Sequence, residues 1–262
     1  MNGPEVRELA HIAQMVAGEA GLLAARGFRQ PKAVMQKAVH DLVTEFDMAS
    51  EDLIRERLTR ETPHIPVVAE ERGGTPDPEL SWYVDPIDGT TNYAHGHPLW
   101  CVSIGLVSRG DFLAGVVVAP SIQTTWVGGM GLPTRRNGEP CRVSDVAELD
   151  QALLATGFPY DRRTNPENNF AAFVALKKLA VGVRRCGSAA LDLCLVADAT
   201  YDGYWERKLA PWDFAAGAAV VRAAGGEVTD FGGGAVDLDR GYVMATNGRL
   251  HQALIAAVKS AG

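Results

Sequence analysis

The sequence predicts an α/β protein, with residues 1–262 folding as one compact unit. Three observations lead there. The chain opens at helical spacing, continues with short apolar runs joined by tight turns, and after about Asp150 alternates strand-like and helix-like stretches. The expected division is a helix pair plus mainly antiparallel sheet over residues 1–150 and an α/β half over residues 151–262.

The elements follow in order. Val6, Leu9, Ile12, Ala13, Val16, Ala20 and Leu23 recur along one helical face, and Gly27 is placed to end the helix. Thr44 followed by Asp47 has the form of a capping box, so a second helix is expected from there to just before Pro63. Ile65–Ala69 and Trp82–Val84 read as short strands that end at Glu70-Glu71 and at Asp85, with a proline turn beyond the second. Cys101–Val107, Phe112–Ala119 and Thr124–Val127 read as antiparallel strands, and Asn137-Gly138 as a tight hairpin turn. Beyond them come strand Leu153–Thr156, helix Asn168–Leu179, strand Val183–Arg185 and helix Ser188–Ala197. Strand Gly203–Trp205, helix Pro211–Ala224, strand Tyr242–Ala245 and helix Leu250–Val258 complete the series. Gly232-Gly233-Gly234 reads as a turn.

Composition removes several function classes. Apolar residues make up 47% and charged residues 22%, which suits a globular protein with a sizeable core. A net charge of -7 argues against a general binder of nucleic acid or membrane surfaces, since such binding rests on dense positive charge. Cys101, Cys141, Cys186 and Cys194 form no C-x-x-C pair, so buried free thiols are expected rather than a zinc or redox motif. Glu5, Arg7 and Glu8 stand where a signal peptide needs an apolar core, and no apolar run reaches the ~20 residues of a bilayer span. A cytoplasmic protein is expected.

Glu70, Asp85, Asp88 and Asp213 carry the chemistry. Any one alone reads as a cap, a surface charge or a salt-bridge partner. Gathered together they would repel one another and raise their own pKa values unless cations neutralised them, and hard divalent cations such as Mg²⁺ are the natural partners of such oxygen ligands. If Gly89 and Thr90 open a helix, the free N–H groups of Gly89-Thr90-Thr91-Asn92 offer a seat for an anion such as phosphate. Acids beside an anion seat imply metal ions between them. The expected reaction is hydrolysis of a phosphate monoester by metal-activated water, which Thr90 and Glu70 would help to orient.

"VAEE" at 68–71, "WYVDPIDGTTNY" at 82–93 and "WDFAAGAAVVRAAGGEV" at 212–228 resemble the motifs of the inositol monophosphatase family, within the lithium-sensitive, magnesium-dependent phosphatases. "DLVTEFD" at 41–47 and "GSAALDLCLVAD" at 187–198 fit the same pattern. The resemblance implies a layered αβαβα sandwich of the inositol monophosphatase and fructose bisphosphatase type, a homodimer, inhibition by lithium, and two or three Mg²⁺ per active site. It further implies that Glu70, Asp85 and the carbonyl of Ile87 hold one metal and that Asp85, Asp88 and Asp213 hold a second. A third metal is implied near Glu70, with Thr90 and Asp47 beside the attacking water and Gly89, Thr90 and Thr91 on the phosphate.

Glu206 falls seven residues before Asp213, where inositol-specific relatives carry a glutamate that binds ring hydroxyls, and a carboxylate suits a polyol because it accepts paired hydrogen bonds. Asn92 and Tyr93 after Thr91 also resemble the inositol-specific branch. The expected substrate is therefore myo-inositol 1-phosphate or a similar small phosphate monoester. A broader sugar phosphatase, for example one acting on fructose 1,6-bisphosphate, is the enzymatic alternative, and a regulatory binding protein on the same fold is the alternative of another class. Lys37 is read as a surface lysine, His95 and His97 as structural.

Overall fold

The computed structural model describes residues 3–30, 33–38 and 41–261, the side chains of residues 36–38 and 41 excepted. Lys37 therefore has its side chain outside the described residues.

Five layers stack on one another. In the chain, helix α1 (Gly3–Gly27) precedes and α2 (Glu45–Glu61) follows a two-stranded hairpin, β1 (Val34–Ala38) with β2 (Asp41–Thr44). Then come β3 (Val67–Ala69), β4 (Ser81–Asp88), the short helix α3 (Thr90–Ala94), β5 (Cys101–Ser108), β6 (Asp111–Ala119), β7 (Thr124–Gly129), β8 (Leu132–Arg136) and β9 (Glu139–Pro140). Strands β3 to β9 lie side by side in chain order as a seven-stranded sheet, antiparallel except for the β3–β4 pair. The second half supplies β10 (Leu153–Thr156), α4 (Phe170–Leu179), β11 (Gly182–Arg184), α5 (Ala189–Ala197), β12 (Gly203–Glu206), α6 (Pro211–Ala223), β13 (Glu227–Thr229), β14 (Val243–Thr246) and α7 (His251–Ser260). Its five strands take the order β11-β10-β12-β14-β13, with β10 parallel to both neighbours.

Three apolar interiors join the layers. Val6, Ala13, Ile54 and Leu58 of α1 and α2 pack on Val84, Ile104 and Val116 of the larger sheet. Leu193, Phe214 and Val220 of α5 and α6 lie between that sheet and Tyr204 and Val243 of the smaller one. Leu176 of α4 and Leu254 of α7 cover its far face against Leu154 and Met244. The larger sheet is thus buried on both sides, which is why all eight residues of β4 are buried and why its strands lack polar alternation.

The middle layer sits unusually close to the sheet because its contact face is small. A Cβ added at Gly115 would lie 2.0 Å from the carbonyl oxygen of Ala216, and one at Gly105 would lie 2.6 Å from the Ala216 nitrogen. These two glycines pair across β5 and β6. Helix α6 consequently rests its backbone on the sheet, which brings its first turn, and Asp213, to the level of β4.

The structure departs from the sequence expectations at particular places. The β1–β2 hairpin and β13 were not expected, β8 and β9 were expected only through the turn that joins them, and the strand read as ending at Asp85 runs on to Asp88. Pro86 lacks an N–H, and the β4–β5 register shifts between Asp85 and Asp88, so the proline is carried by a bulge rather than by a turn. Asn137 and Gly138 both have positive φ, 50° and 83°, and join β8 to β9 as the hairpin turn expected there. The Gly232–Gly234 stretch is a turn fastened by Asp230, whose Oδ1 accepts from the N–H groups of Gly232 and Gly234. All four cysteines are free, but Cys141 and Cys186 are only partly buried. Among the described residues no helix is long and apolar enough to cross a membrane.

His251, at the start of α7, is fully buried, with Thr229 Oγ1 2.8 Å from Nε2 and Thr246 Oγ1 2.9 Å from Nδ1. Burial lowers its pKa below the ordinary 6.5, against the opposing pull of Glu227. The folded imidazole stays neutral where the unfolded one takes a proton, so this contribution to stability is complete above about pH 6.5 and declines as pH falls below it. Urea unfolding of the parent and of His251→Gln across about pH 8 to 5 should show the parent losing up to ~1.4 kcal/mol per pH unit more than the variant below about pH 6.5. Parallel pH profiles would contradict this assignment.

Candidate active site

Asp85 and Asp88 stand on β4, Glu70 directly follows β3, and Asp213 lies in the first turn of α6. All four line one cavity of about 660 Å³, together with Ile87, the Gly89–Thr91 turn and Glu206. Parallel pairing of β3 with β4 sets Glu70 beside Asp85, and the Glu70 N–H donates to the Val84 carbonyl at 3.2 Å.

Asp85, Asp213 and Asp88 are each fixed through one oxygen by a backbone or hydroxyl donor. Asp85 Oδ1 accepts from the Ile87 N–H at 3.0 Å, across the bulge that Pro86 creates. Asp213 Oδ2 accepts from the Ala210 N–H at 2.8 Å, closing the amino end of α6. Asp88 Oδ2 accepts from Ser188 Oγ and from the Ala190 N–H, both at 2.7 Å, so it rests on the amino end of α5. Among the described residues the second oxygens of Asp85 and Asp213 accept no hydrogen bond, which leaves them for a ligand.

Charge makes the arrangement costly in isolation. Burial raises the Asp85 pKa well above the usual carboxylate range, and the charges acting most strongly on it are all acidic: Glu70, Asp88, Asp213 and Asp47. Asp213 is raised by burial first and then by Glu70 and Asp88. Burial likewise raises Asp88, against the hydrogen bonds from Ser188 and Ala190. Among the described residues no three His, Cys, Asp or Glu side chains are drawn together as the ligand set of a single ion. The expected trio Asp85, Asp88 and Asp213 therefore borders the cavity without forming a closed cage. The donor chemistry still fits a hard cation: oxygen atoms only, several of them anionic, and among the described residues the charges acting most strongly on Asp85 are all acidic.

Asp47 and Thr90 are coupled. Asp47 Oδ2 accepts from the Thr44 N–H at 2.8 Å and from Thr44 Oγ1 at 2.5 Å, while Oδ1 lies 3.0 Å from Thr90 Oγ1. The Thr90 hydroxyl is also 3.0 Å from the Ile87 carbonyl, so it chooses between two acceptors. Burial lifts the Asp47 pKa to about 6. The capping box of α2 thus reaches into the cavity wall.

Gly89 begins α3 with φ 92°, a left-handed conformation that suits glycine, and α3 spans only Thr90–Ala94. Its axial dipole is correspondingly small, so the anion seat expected there would consist of local N–H groups rather than the end of a long helix. Tyr93 fastens this turn from behind, donating to the Ala24 carbonyl at 2.7 Å and meeting Trp100 edge-on at 4.9 Å.

Glu206 ends β12 in the same cavity, buried, and its Oε2 accepts from the Tyr204 hydroxyl. Burial raises its pKa to about 7, opposed by Tyr204 and Arg185 and assisted by Asp88. Arg162, Arg185, Arg207 and Lys208 also line the cavity, giving a protein of net charge -7 a local supply of cations. His95 borders it too.

Sequence reasoning singled out no role for Ser188, Tyr204 or Arg185. Ser188 had a legible signal, a serine just before an apolar helical run, but that signal announces a cap and not a donor to a residue a hundred positions earlier. Tyr204 and Arg185 carry no pattern of their own.

Comparison with known proteins bears on the whole chain. The model of the family described as "Inositol monophosphatase family" matches residues 5–262. The inositol-1-monophosphatase of Synechocystis sp. is 46% identical over 220 residues, which is 83% of this chain and 77% of that one. The Nus factor SuhB of Pseudomonas aeruginosa is 36% identical, with 97% of each chain covered. The solved structure of inositol monophosphatase from Anabaena (Nostoc) superimposes with a TM-score of 0.90 at 40% identity, covering 98% of both chains.

The Ser188 contacts give a test. Ser188→Ala removes the hydroxyl donor to Asp88 and the side-chain cap of α5, whose Leu191 N–H it receives at 3.4 Å. Chemical denaturation should show a loss of about 1–2 kcal/mol. A loss below about 0.3 kcal/mol would mean the bond contributes nothing to folding.

Proposed function

The chain belongs to the inositol monophosphatase family and is a phosphatase, and from that premise we propose that it cleaves myo-inositol 1-phosphate, or a similar polyol phosphate, with Mg²⁺ as its metal. The observation that carries this reading is the meeting of acids, anion seat and Glu206 in one cavity.

Glu70, Asp85, Asp88, Asp213 and the carbonyl of Ile87 are the groups that would hold two or three Mg²⁺ per site. When bound, the metal supplies positive charge to the phosphoryl oxygens and makes water acidic enough to attack at neutral pH. The remaining work belongs to the chain. N–H groups of Gly89, Thr90 and Thr91 receive the phosphate. Thr90, held by Asp47, orients the attacking water together with Glu70 and relays its proton to Asp47 Oδ1 through the hydrogen bond already in place. Glu206 accepts hydrogen bonds from the alcohol's hydroxyls, and the arginines and Lys208 around the cavity draw the anionic ester inward. The same reading includes inhibition by Li⁺, a homodimer and a cytoplasmic location.

A second reading has one specific observation in its favour, the name Nus factor carried by the Pseudomonas aeruginosa relative. It gives the chain a regulatory binding role on the same fold, beside or instead of catalysis.

Phosphate release from inositol 1-phosphate should require Mg²⁺, cease with EDTA and fall with Li⁺. Turnover of fructose 1,6-bisphosphate equal to or better than that of inositol 1-phosphate would replace the polyol assignment by the broader sugar phosphatase. Asp88→Asn should lower kcat/KM by on the order of a hundredfold or more. A cellular phenotype that persists in this variant would favour the binding role.

A further inference from the structure

Gly157 follows β10 and is buried against the carboxylate of Glu206. A Cβ built on it would lie 2.0 Å from one Glu206 oxygen and 2.1 Å from the other. Both oxygens are equally close, so the carboxylate lies broadside to the Gly157 Cα. Gly157 is absent from the positive-φ glycines, so space and not backbone conformation forbids a side chain there.

The surroundings hold this contact fixed. Strands β10 and β12 are parallel neighbours with Thr156 opposite Trp205, one residue before Gly157 and Glu206 respectively. Thr156 Oγ1 donates to the Trp205 carbonyl at 2.5 Å. Buried Asn169, in a left-handed conformation at φ 70°, donates from Nδ2 to Thr156 Oγ1 and to the Gly157 carbonyl, each at 2.8 Å. Its Oδ1 accepts from Trp205 Nε1 at 2.8 Å. Asn169 thus ties together the two strand ends that carry the glycine and the glutamate. Neither end can move away from the other without breaking buried hydrogen bonds. The Tyr204 hydroxyl holds the carboxylate from its Oε2 side.

We infer that Gly157 is a positioning residue for leaving-alcohol selectivity: the absence of its side chain makes the recess that sets the Glu206 carboxylate at the depth needed to receive the alcohol's hydroxyls. The inference rests on the reading of Glu206 as the group that binds those hydroxyls. A methyl at this position needs a C···O separation of about 3.3 Å, so the carboxylate must retreat by about 1 Å toward the cavity. A displacement of that size in a site built for hydrogen bonding is costly, on the order of tenfold to a hundredfold in kcat/KM.

The experiment compares kcat/KM for inositol 1-phosphate with kcat/KM for 4-nitrophenyl phosphate, an ester whose alcohol lacks the hydroxyl array. The ratio of the two is the readout, in the parent, Gly157→Ala, Glu206→Ala and the double variant Gly157→Ala/Glu206→Asp. Gly157→Ala should lower the ratio about tenfold or more. The double variant should regain part of it, because the shorter acid vacates the space the methyl takes. If Glu206→Ala lowers the ratio and Gly157→Ala does not, the inference fails while the reading of Glu206 stands. If Glu206→Ala leaves the ratio unchanged, that reading fails and the inference falls with it. A double variant no better than Gly157→Ala also overturns the inference. Should Gly157→Ala fail to fold, thermal unfolding of the double variant decides: a recovered transition supports the steric account and an unrecovered one refutes it.

Discussion

Repulsion among buried carboxylates is the constraint around which this molecule is organised. Asp85 and Asp88 are withdrawn from water and Asp213 partly so, and the charges acting most strongly on Asp85 have the same sign as its own. A fold tolerates this only if the acids are clamped so that they cannot turn back to solvent or spread apart. The clamps are ordinary backbone and hydroxyl donors: Ile87 N–H for Asp85, Ala210 N–H for Asp213, Ser188 and Ala190 for Asp88. Each arises from a local feature, a proline bulge or a helix amino end. The folding free energy of the layers therefore holds the acids in place.

The layers explain how residues so distant in sequence come together. The seven-stranded sheet brings Glu70 and Asp85 to neighbouring strands, while α6, laid almost bare against Gly105 and Gly115, brings Asp213 down to meet them. Helix α5 meets Asp88 with its amino end. The smaller sheet approaches from the other side with Glu206, supported by Tyr204 and the clamp at Asn169. Packing of small residues in the middle layer is thus as necessary to the site as its acids. A bulkier α6 face would lift Asp213 away from β4.

Much of this was legible in the sequence, and the reasons differ from place to place. The acids showed because they interrupt apolar strands or follow Pro211-Trp212 at a helix start. The long helices showed because their apolar positions repeat at 3.6 residues. The β1–β2 hairpin did not, since "VMQKA" and "DLVT" carry no clean alternation, and β9 and β13 are too short for any period to register. Pro86 misled: a proline after a strand usually marks a turn, but here a bulge absorbs it and the strand continues to Asp88. Ser188 and Asn169 escaped because their partners lie on other elements, and propensity has no view of such pairings. The hairpin turn at Asn137-Gly138 needed no tertiary information and was legible in full.

The two sheets divide the labour in the proposed reaction. The residues proposed as metal ligands and phosphate seat stand mainly on the larger sheet and on the helix that rests upon it, whereas those proposed to face the alcohol stand at strand ends of the smaller one. Inheritance can therefore act on them separately. Drift at the ends of β10 and β12 would yield descendants that accept new alcohols while keeping ancestral reactivity, so one scaffold can diversify into many specificities without reinventing its chemistry.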